Sequence, residues 1–346
     1  MVASLPERIA DAPDTMEEWR VIRPLIHLGP ATIPNGRPRH TAKPIYSFES
    51  KEGSVTSTKS QPGVGVRAAT ADDSAVCGKI CYEAFSKISS AHGFPCDLPG
   101  AEVAAGLLSM MFSHPGFSCV VAEADGRIVG SNCLDERSVI AGIGPITVYP
   151  GIQNLGAGQM LMRAVLDRAS QRKAVGVRLV QAAYHNRSLS LYSRLGFDIR
   201  EPLSCLQGRT LERSIPGCLV RPAEPTDLDA CNVLARQVHG FDLGTELGEA
   251  VQHKTAIAVE RGGRITGYAT ALAFSGHATT ETNLDLQALI ASAESFGGPG
   301  ILVPSRNNAV MRWCLANGLH VVQPMTLMSM GLYNEPAGAW MPSISF

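Results

Sequence analysis

Residues 146–158 read Ile-Thr-Val-Tyr-Pro-Gly-Ile-Gln-Asn-Leu-Gly-Ala-Gly, and residues 186–197 read Asn-Arg-Ser-Leu-Ser-Leu-Tyr-Ser-Arg-Leu-Gly-Phe. The first stretch is an apolar strand, Ile146 to Tyr149, stopped by Pro150 and followed by a turn that holds Gly156 and Gly158. Met160, Leu161, Ala164, Val165, Leu166 and Ala169 come next, at the three-to-four spacing of a helix packed on a sheet. A strand, a glycine turn and a helix in that order make a phosphate cradle. The first N–H groups of a helix lack intrahelical partners, the macrodipole is positive there, and glycine lets a ligand approach the backbone. The second stretch predicts another helix, with Tyr192 ahead of Leu195-Gly196-Phe197.

Two common phosphate-binding turns do not fit. A dinucleotide fold needs three glycines over six positions and an acidic residue about 20 residues on, and the segment after Gly158 lacks them. The Gly-Lys-Ser/Thr of a Walker loop is absent. What remains is Gln153-x-x-Gly156-x-Gly158 after a strand ending Val148-x-Pro150, with Asn186, Tyr192 and Gly196-Phe197 downstream. In these motifs residues 64–208 resemble the GNAT superfamily of N-acetyltransferases.

The resemblance implies acetyl-CoA as the acyl donor. Its pantetheine arm would lie along Ile146, Thr147 and Val148, and its pyrophosphate against Gln153, Asn154, Leu155, Gly156, Ala157, Gly158 and Gln159. Asn186 would contact the pantetheine region, the Val148 amide would face the thioester carbonyl, and Tyr192 would protonate the departing thiolate. By residue type alone Tyr192 reads as a core aromatic; its setting between Asn186 and Gly196-Phe197 makes it the expected acid.

An attacking amine must lose a proton, yet Val139 to Val148 contains no carboxylate where family members carry a glutamate. Asp135 and Glu136, just upstream, are the candidate bases, the alternative being a polar turn paired to Arg137. His92 and His114 read as loop residues, and Tyr184 and His185 as secondary contacts. No cysteine or serine occupies a nucleophile setting, so direct attack on the thioester is expected. Two alternatives stay open: a non-catalytic acyl-CoA sensor or interaction module, and transfer of a longer acyl group, for which Ala141, Gly142 and Gly144 leave room.

The chain also repeats itself. Val66-Arg67-Ala68-Ala69 leading to Asp72-Asp73 parallels Val220-Arg221-Pro222-Ala223 leading to Asp227, and a hairpin at Asp125-Gly126 parallels one at Gly262-Gly263. Gly196 to Ser204 aligns with Gly318 to Thr326, and Asn186 with Tyr192 is set against Asn307 with Trp313. The expected fold class is α/β: two tandem GNAT-like domains, each a mixed, mainly antiparallel central sheet flanked by helices. Residues 1–62 form a proline-rich arm, 63–212 the acetyl-CoA-binding domain, and 217–346 a degenerate copy, since nothing between Gly276 and Gly300 matches the cradle.

Composition bounds the rest. At 346 residues the chain exceeds the roughly 250–300 that one core supports. A formal charge of −1 gives no electrostatic reason for a nucleic-acid partner, so the expected acceptor is a small-molecule or peptide amine. No window approaches the ~18 apolar residues of a membrane span, and Glu7, Asp11 and Asp14 lie where a secretory signal would be basic and apolar. Nine cysteines without a C-x-x-C pair argue against a disulfide framework and a metal site, and for a cytoplasmic protein. Oligomeric state is not encoded in these patterns.

Overall fold

The computed structural model describes residues 63–152, 156–243 and 245–345. The expected arm at 1–62 lies outside them, as do Gln153, Asn154 and Leu155. The first half runs β1 (Val64–Ala68), a 3-10 turn, α1 (Ser74–Ala91), α2 (Ala101–Ser113), β2 (Phe117–Ala124), β3 (Arg127–Asp135), β4 (Ile140–Ile143), β5 (Thr147–Val148), α3 (Ala157–Gln171), β6 (Gly176–Ala182), α4 (Asn186–Arg194) and β7 (Asp198–Gly208). The second half runs β8 (Leu219–Pro222), a 3-10 turn, α5 (Leu228–His239), α6 (Glu246–Gln252), β9 (Ile257–Arg261), β10 (Arg264–Ala269), β11 (Ala278–Thr280), α7 (Asn283–Ala291), β12 (Ile301–Pro304), α8 (Asn308–Ala316), β13 (Leu319–Gly331) and β14 (Ala339–Met341).

The repeat extends to hydrogen bonds. Thr70 and Asp73 form a capping box at the start of the first half, and Glu224 and Asp227 form one in the second. In each, the arginine of the preceding strand grips the aspartate with two nitrogens: Arg67 on Asp73 at 2.7 and 2.9 Å, Arg221 on Asp227 at 2.6 and 2.9 Å. Each arginine also reaches a glutamate of the neighbouring hairpin, Glu123 or Glu260. Asp125 and Gly126 both have positive φ, 49° and 72°, as do Gly262 and Gly263, 64° and 75°, the left-handed pair a two-residue hairpin turn requires.

The halves share strands. One sheet runs β1-β2-β3-β4-β6-β13-β7-β12, with β5 continuing beside β3; the other runs β14-β11-β10-β9-β8. Thus β13 of the second half lies between β6 and β7, while β7 of the first lies between β13 and β12. The exchange is symmetric about one cross-strand pair, Leu203 with Met325, flanked by Pro202–Thr326 and Ser204–Pro324. Pro202 accepts from Ser305 N at 2.8 Å and Pro324 from Ala183 N at 3.0 Å, so both prolines keep their carbonyls paired.

A wedge opens in the first half because two strands pair only at one end. β4 runs parallel to β6 from Ile140–Gly176 to Gly142–Arg178. Beyond Ile143 the chain turns through Gly144 and continues as β5 on β3, whereas β6 continues on β13. α3 and α4 cover one face through Met162, Val165, Leu179 and Tyr192, and α1 and α2 cover the other through Cys77, Cys81, Ala104, Leu108 and Cys133. In the second half the equivalent gap is filled by β14, which pairs with β11 from Ala278–Met341 to Thr280–Ala339. All nine cysteines are free, and no described helix is long and apolar enough to cross a membrane.

Candidate active site

The wedge leads to the start of α3. Gly156 is the N-cap of that helix with φ 84°, a conformation costing other residues about 1–2 kcal/mol. No side chain caps the helix, and its first internal bond is Met160 N to Gly156 O at 3.0 Å. The amides of Ala157, Gly158 and Gln159 are therefore left without intrahelical acceptors. A Cβ on Gly158 would stand 3.7 Å from Val148 and 3.8 Å from Leu191, which sets the helix start in the seam between β5 and α4.

α7 offers the contrast. Its N-cap Thr282 accepts from Asp285 N, and the Asp285 carboxylate returns to Thr282 N at 3.1 Å. Arg261 neutralises that carboxylate at 2.8 and 3.1 Å. The second half thus satisfies its helix start internally and places a carboxylate where a phosphate would sit.

Along the wedge, Tyr149 N donates to Val129 O at 2.7 Å. Successive N–H groups of a strand point in opposite directions, so the Val148 amide turns away from β3 toward the gap. Thr147 is buried, and its Oγ1 meets no hydrogen-bond partner among the described residues. Ile146 is half-buried beside it. An open groove of about 760 Å³, lined by Tyr82, Glu83, Ser86, Lys87, Ser90 and Tyr149, flanks the gap on the α1 side.

α4 corrects one alignment. His185, not Asn186, is the N-cap, and Asn186 is the exposed first residue of the helix. In α8 the N-cap is Asn307, whose side chain accepts from Val310 N at 3.3 Å. Tyr192 and Cys314 each lie seven residues after their cap and four before the glycine, so Cys314 rather than Trp313 is the counterpart of Tyr192. Spacing from the caps thus aligns the two motifs on His185 and Asn307. Tyr192 is buried, edge-on to Phe197 at 6.2 Å, and burial pushes its phenol well above the usual value, which keeps it protonated.

The candidate bases are engaged elsewhere. Glu136 receives Arg168 at 2.7 and 3.1 Å and Arg172 at 2.8 Å, both from α3. Asp135 receives Arg137 Nε at 2.9 and 3.1 Å, and the same arginine reaches Glu249 of the second half at 2.7 Å. Both carboxylates are thus taken up by guanidinium groups, and this geometry argues against the base role expected for them. Gly142, one of the small residues that suggested a longer acyl group, has its open side taken up: a Cβ there would lie 2.0 Å from the Ser345 carbonyl oxygen.

Sequence reasoning missed a cluster where β6 ends. Tyr184 stacks on Phe94 at 4.4 Å, with His92 at 5.3 Å. Its hydroxyl donates to Gln323 Oε1 at 3.1 Å, and Gln323 Nε2 donates to Asp97. Burial pushes the Asp97 carboxyl up, and burial pushes the neighbouring His185 down. Tyr184 and His185 carried a sequence signal through their place after β6. Asp97 and Gln323 are 226 residues apart, and only the strand exchange brings them together.

Comparison with known proteins agrees with this geometry. The acetyltransferase (GNAT) family matches residues 86–197. No curated protein sequence matches the chain. Among solved structures, a provisionally named acetyltransferase from Pyrococcus horikoshii is similar over 87% of this chain and 98% of its own, at 16% identity and TM-score 0.61. A GCN5-related N-acetyltransferase from Sphaerobacter thermophilus is similar over 82% and 98%, at 16% identity and TM-score 0.53. At such identities the likeness concerns the fold, and it spans both halves. Over residues 86–197 the chain carries a domain of the GNAT acetyltransferase family.

Proposed function

We propose that residues 63–212 bind acetyl-CoA and transfer its acetyl group directly to an amine, while 217–346 are a degenerate partner that binds no cofactor. The observation that carries this reading is the contrast between the two helix starts: α3 leaves three amides without intrahelical acceptors beside an open wedge, and α7 is capped by its own carboxylate beside a gap filled by β14. The pyrophosphate would sit on Ala157, Gly158 and Gln159 after the Gly156 turn, and the pantetheine would run past Ile146, Thr147 and Val148. The unpaired Thr147 hydroxyl and the wedge-facing Val148 amide are polar groups that a thioester arm would satisfy. Tyr192, kept protonated by burial, would supply the proton to the CoA thiolate. An amine acceptor, small molecule or peptide, would approach by the groove beside α1. The coverage of Gly142 by Ser345 favours acetyl over longer acyl groups, and nine free thiols fit the reducing cytoplasm.

Calorimetric titration with acetyl-CoA, followed by thiol release over a panel of primary amines, tests this. We expect one site per chain, and a loss of about 100-fold in kcat for Tyr192→Phe with acetyl-CoA affinity unchanged. Absence of acetyl-CoA binding would sink the donor assignment, and tight binding with no release for any amine would favour the sensor.

A further inference from the structure

At the cluster where β6 ends, the two halves of the chain can be compared position by position. Tyr184 precedes the N-cap of α4 by one residue, as Arg306 precedes that of α8; Gln323 precedes Pro324 as Glu201 precedes Pro202. In the second half these positions hold an ion pair, Arg306 Nε on Glu201 at 2.8 Å, with Glu335 adding a second carboxylate at 2.6 Å. In the first half the same positions hold a neutral pair, Tyr184 and Gln323, joined at 3.1 Å. The charge is displaced to Asp97, which this pair holds from behind.

The hydrogen bonds fix the orientation. Tyr184 occupies the Gln323 carbonyl oxygen, so the amide nitrogen faces Asp97 and donates to Oδ1. Among the described residues no arginine, lysine or histidine forms an ion pair with Asp97. The titratable groups around it are Tyr184, Cys96, Cys81 of α1 and Cys205 of β7, with His92 and His185 beyond Tyr184. A partly buried carboxylate backed by one neutral donor is a site that lacks its cation.

Its place in the sheet says which cation. Val177 and Leu179 of β6 face α3 and α4, where a phosphate chain would be anchored, while Val180 and Ala182 face the other side. The loop that holds Phe94 and Asp97 meets the chain just beyond β6, Phe94 stacking on Tyr184 and Asp97 accepting from Gln323 of β13. A donor held at the α3 start and threaded through the wedge would present its acyl carbon toward this loop.

We infer that Asp97, positioned by Gln323 of the second half, receives the ammonium group of the acceptor and acts as its base, so that the enzyme selects primary amines that are charged at neutral pH. This rests on the donor reading above. The ammonium gives one proton to the Asp97 carboxylate; the freed nitrogen bonds to the thioester carbon; the carbon–sulfur bond breaks. Tyr192 protonates the thiolate to CoA thiol, the second nitrogen proton restores Tyr192 through water, the third stays on the amide, and Asp97 returns its proton to water. The second half thereby contributes to the acceptor site even though it binds no donor.

The test uses the full chain with acetyl-CoA and four acceptors: spermidine, lysine and the dipeptide Ala-Ala, which are charged at pH 7, and hydroxylamine, which is neutral. Asp97→Asn should keep the acetyl-CoA affinity, which also reports its folding. It should lower kcat/KM for the charged amines by about 100-fold and their preference over hydroxylamine at least tenfold. Gln323→Glu, which copies Glu201, should move the acidic limb of the pH profile up by about one unit, since a second carboxylate beside Asp97 opposes its ionisation. Unchanged charged-amine transfer in Asp97→Asn overturns the inference, as does an unmoved limb in Gln323→Glu. A wild-type protein that binds acetyl-CoA yet serves none of the charged amines overturns it while leaving the donor reading in place. One that binds no acetyl-CoA overturns both.

Discussion

His239 shows how a single residue can couple the fold to pH. It is buried at the end of α5 with Nε2 3.1 Å from Thr279 Oγ1, against Trp340, Phe241 and His277, and burial with the nearby Arg178 charge pushes it down to about 3. Its folded value lies below the ordinary 6.5, so the unfolded chain takes up a proton first as pH falls. Stability is then complete above about pH 6.5 and declines toward pH 3, by about 2 kcal/mol at pH 5. Urea midpoints between pH 7.5 and 5 should show this decline, and His239→Gln should flatten it. Single residues were the most legible scale where the backbone alone decides, as at Gly156. They were least legible where a distant partner decides, as with Glu136, which is held by two arginines of α3.

Among the elements, α3 and α7 occupy equivalent places and differ in who completes their first turn. Thr282→Ala removes the cap of α7 and should lower stability by about 1 kcal/mol, read from the denaturant midpoint. Acetyl-CoA titration should be unaffected if, as proposed, α3 is the helix that meets the donor. Binding weakened as much as by a change at Gly158 would contradict that division of labour. Periodicity revealed α3, and the left-handed turns at Asp125-Gly126 and Gly262-Gly263 follow from residue type, because these are local properties. The pairing of Asn186 with Asn307 does not hold, since the cap geometry shows that His185 matches Asn307.

For the whole molecule the strand exchange has a direct consequence. β7 is paired on both sides by strands of the second half, and β6 is paired on one side by β13. Residues 63–212 expressed alone would expose both edges of β7 and the free edge of β6, so they should fail to give a cooperative thermal transition. The full chain should melt in one transition, and co-expressed halves should restore it together with acetyl-CoA binding. Calorimetric scans would decide; a first half that folds and binds acetyl-CoA alone would refute this dependence.

By itself the sequence determined the duplication, the hairpins and the glycine turn at Gly156 that opens α3, a turn with no counterpart before α7. All of these are written in spacing, glycine placement and helix periodicity within short windows. The tertiary structure decided how the copies join, that β14 closes the second gap, and that Asp97 meets Gln323. Those depend on which strand edges find each other across more than a hundred residues, a choice made by burial and backbone pairing over the whole sheet that no local pattern records.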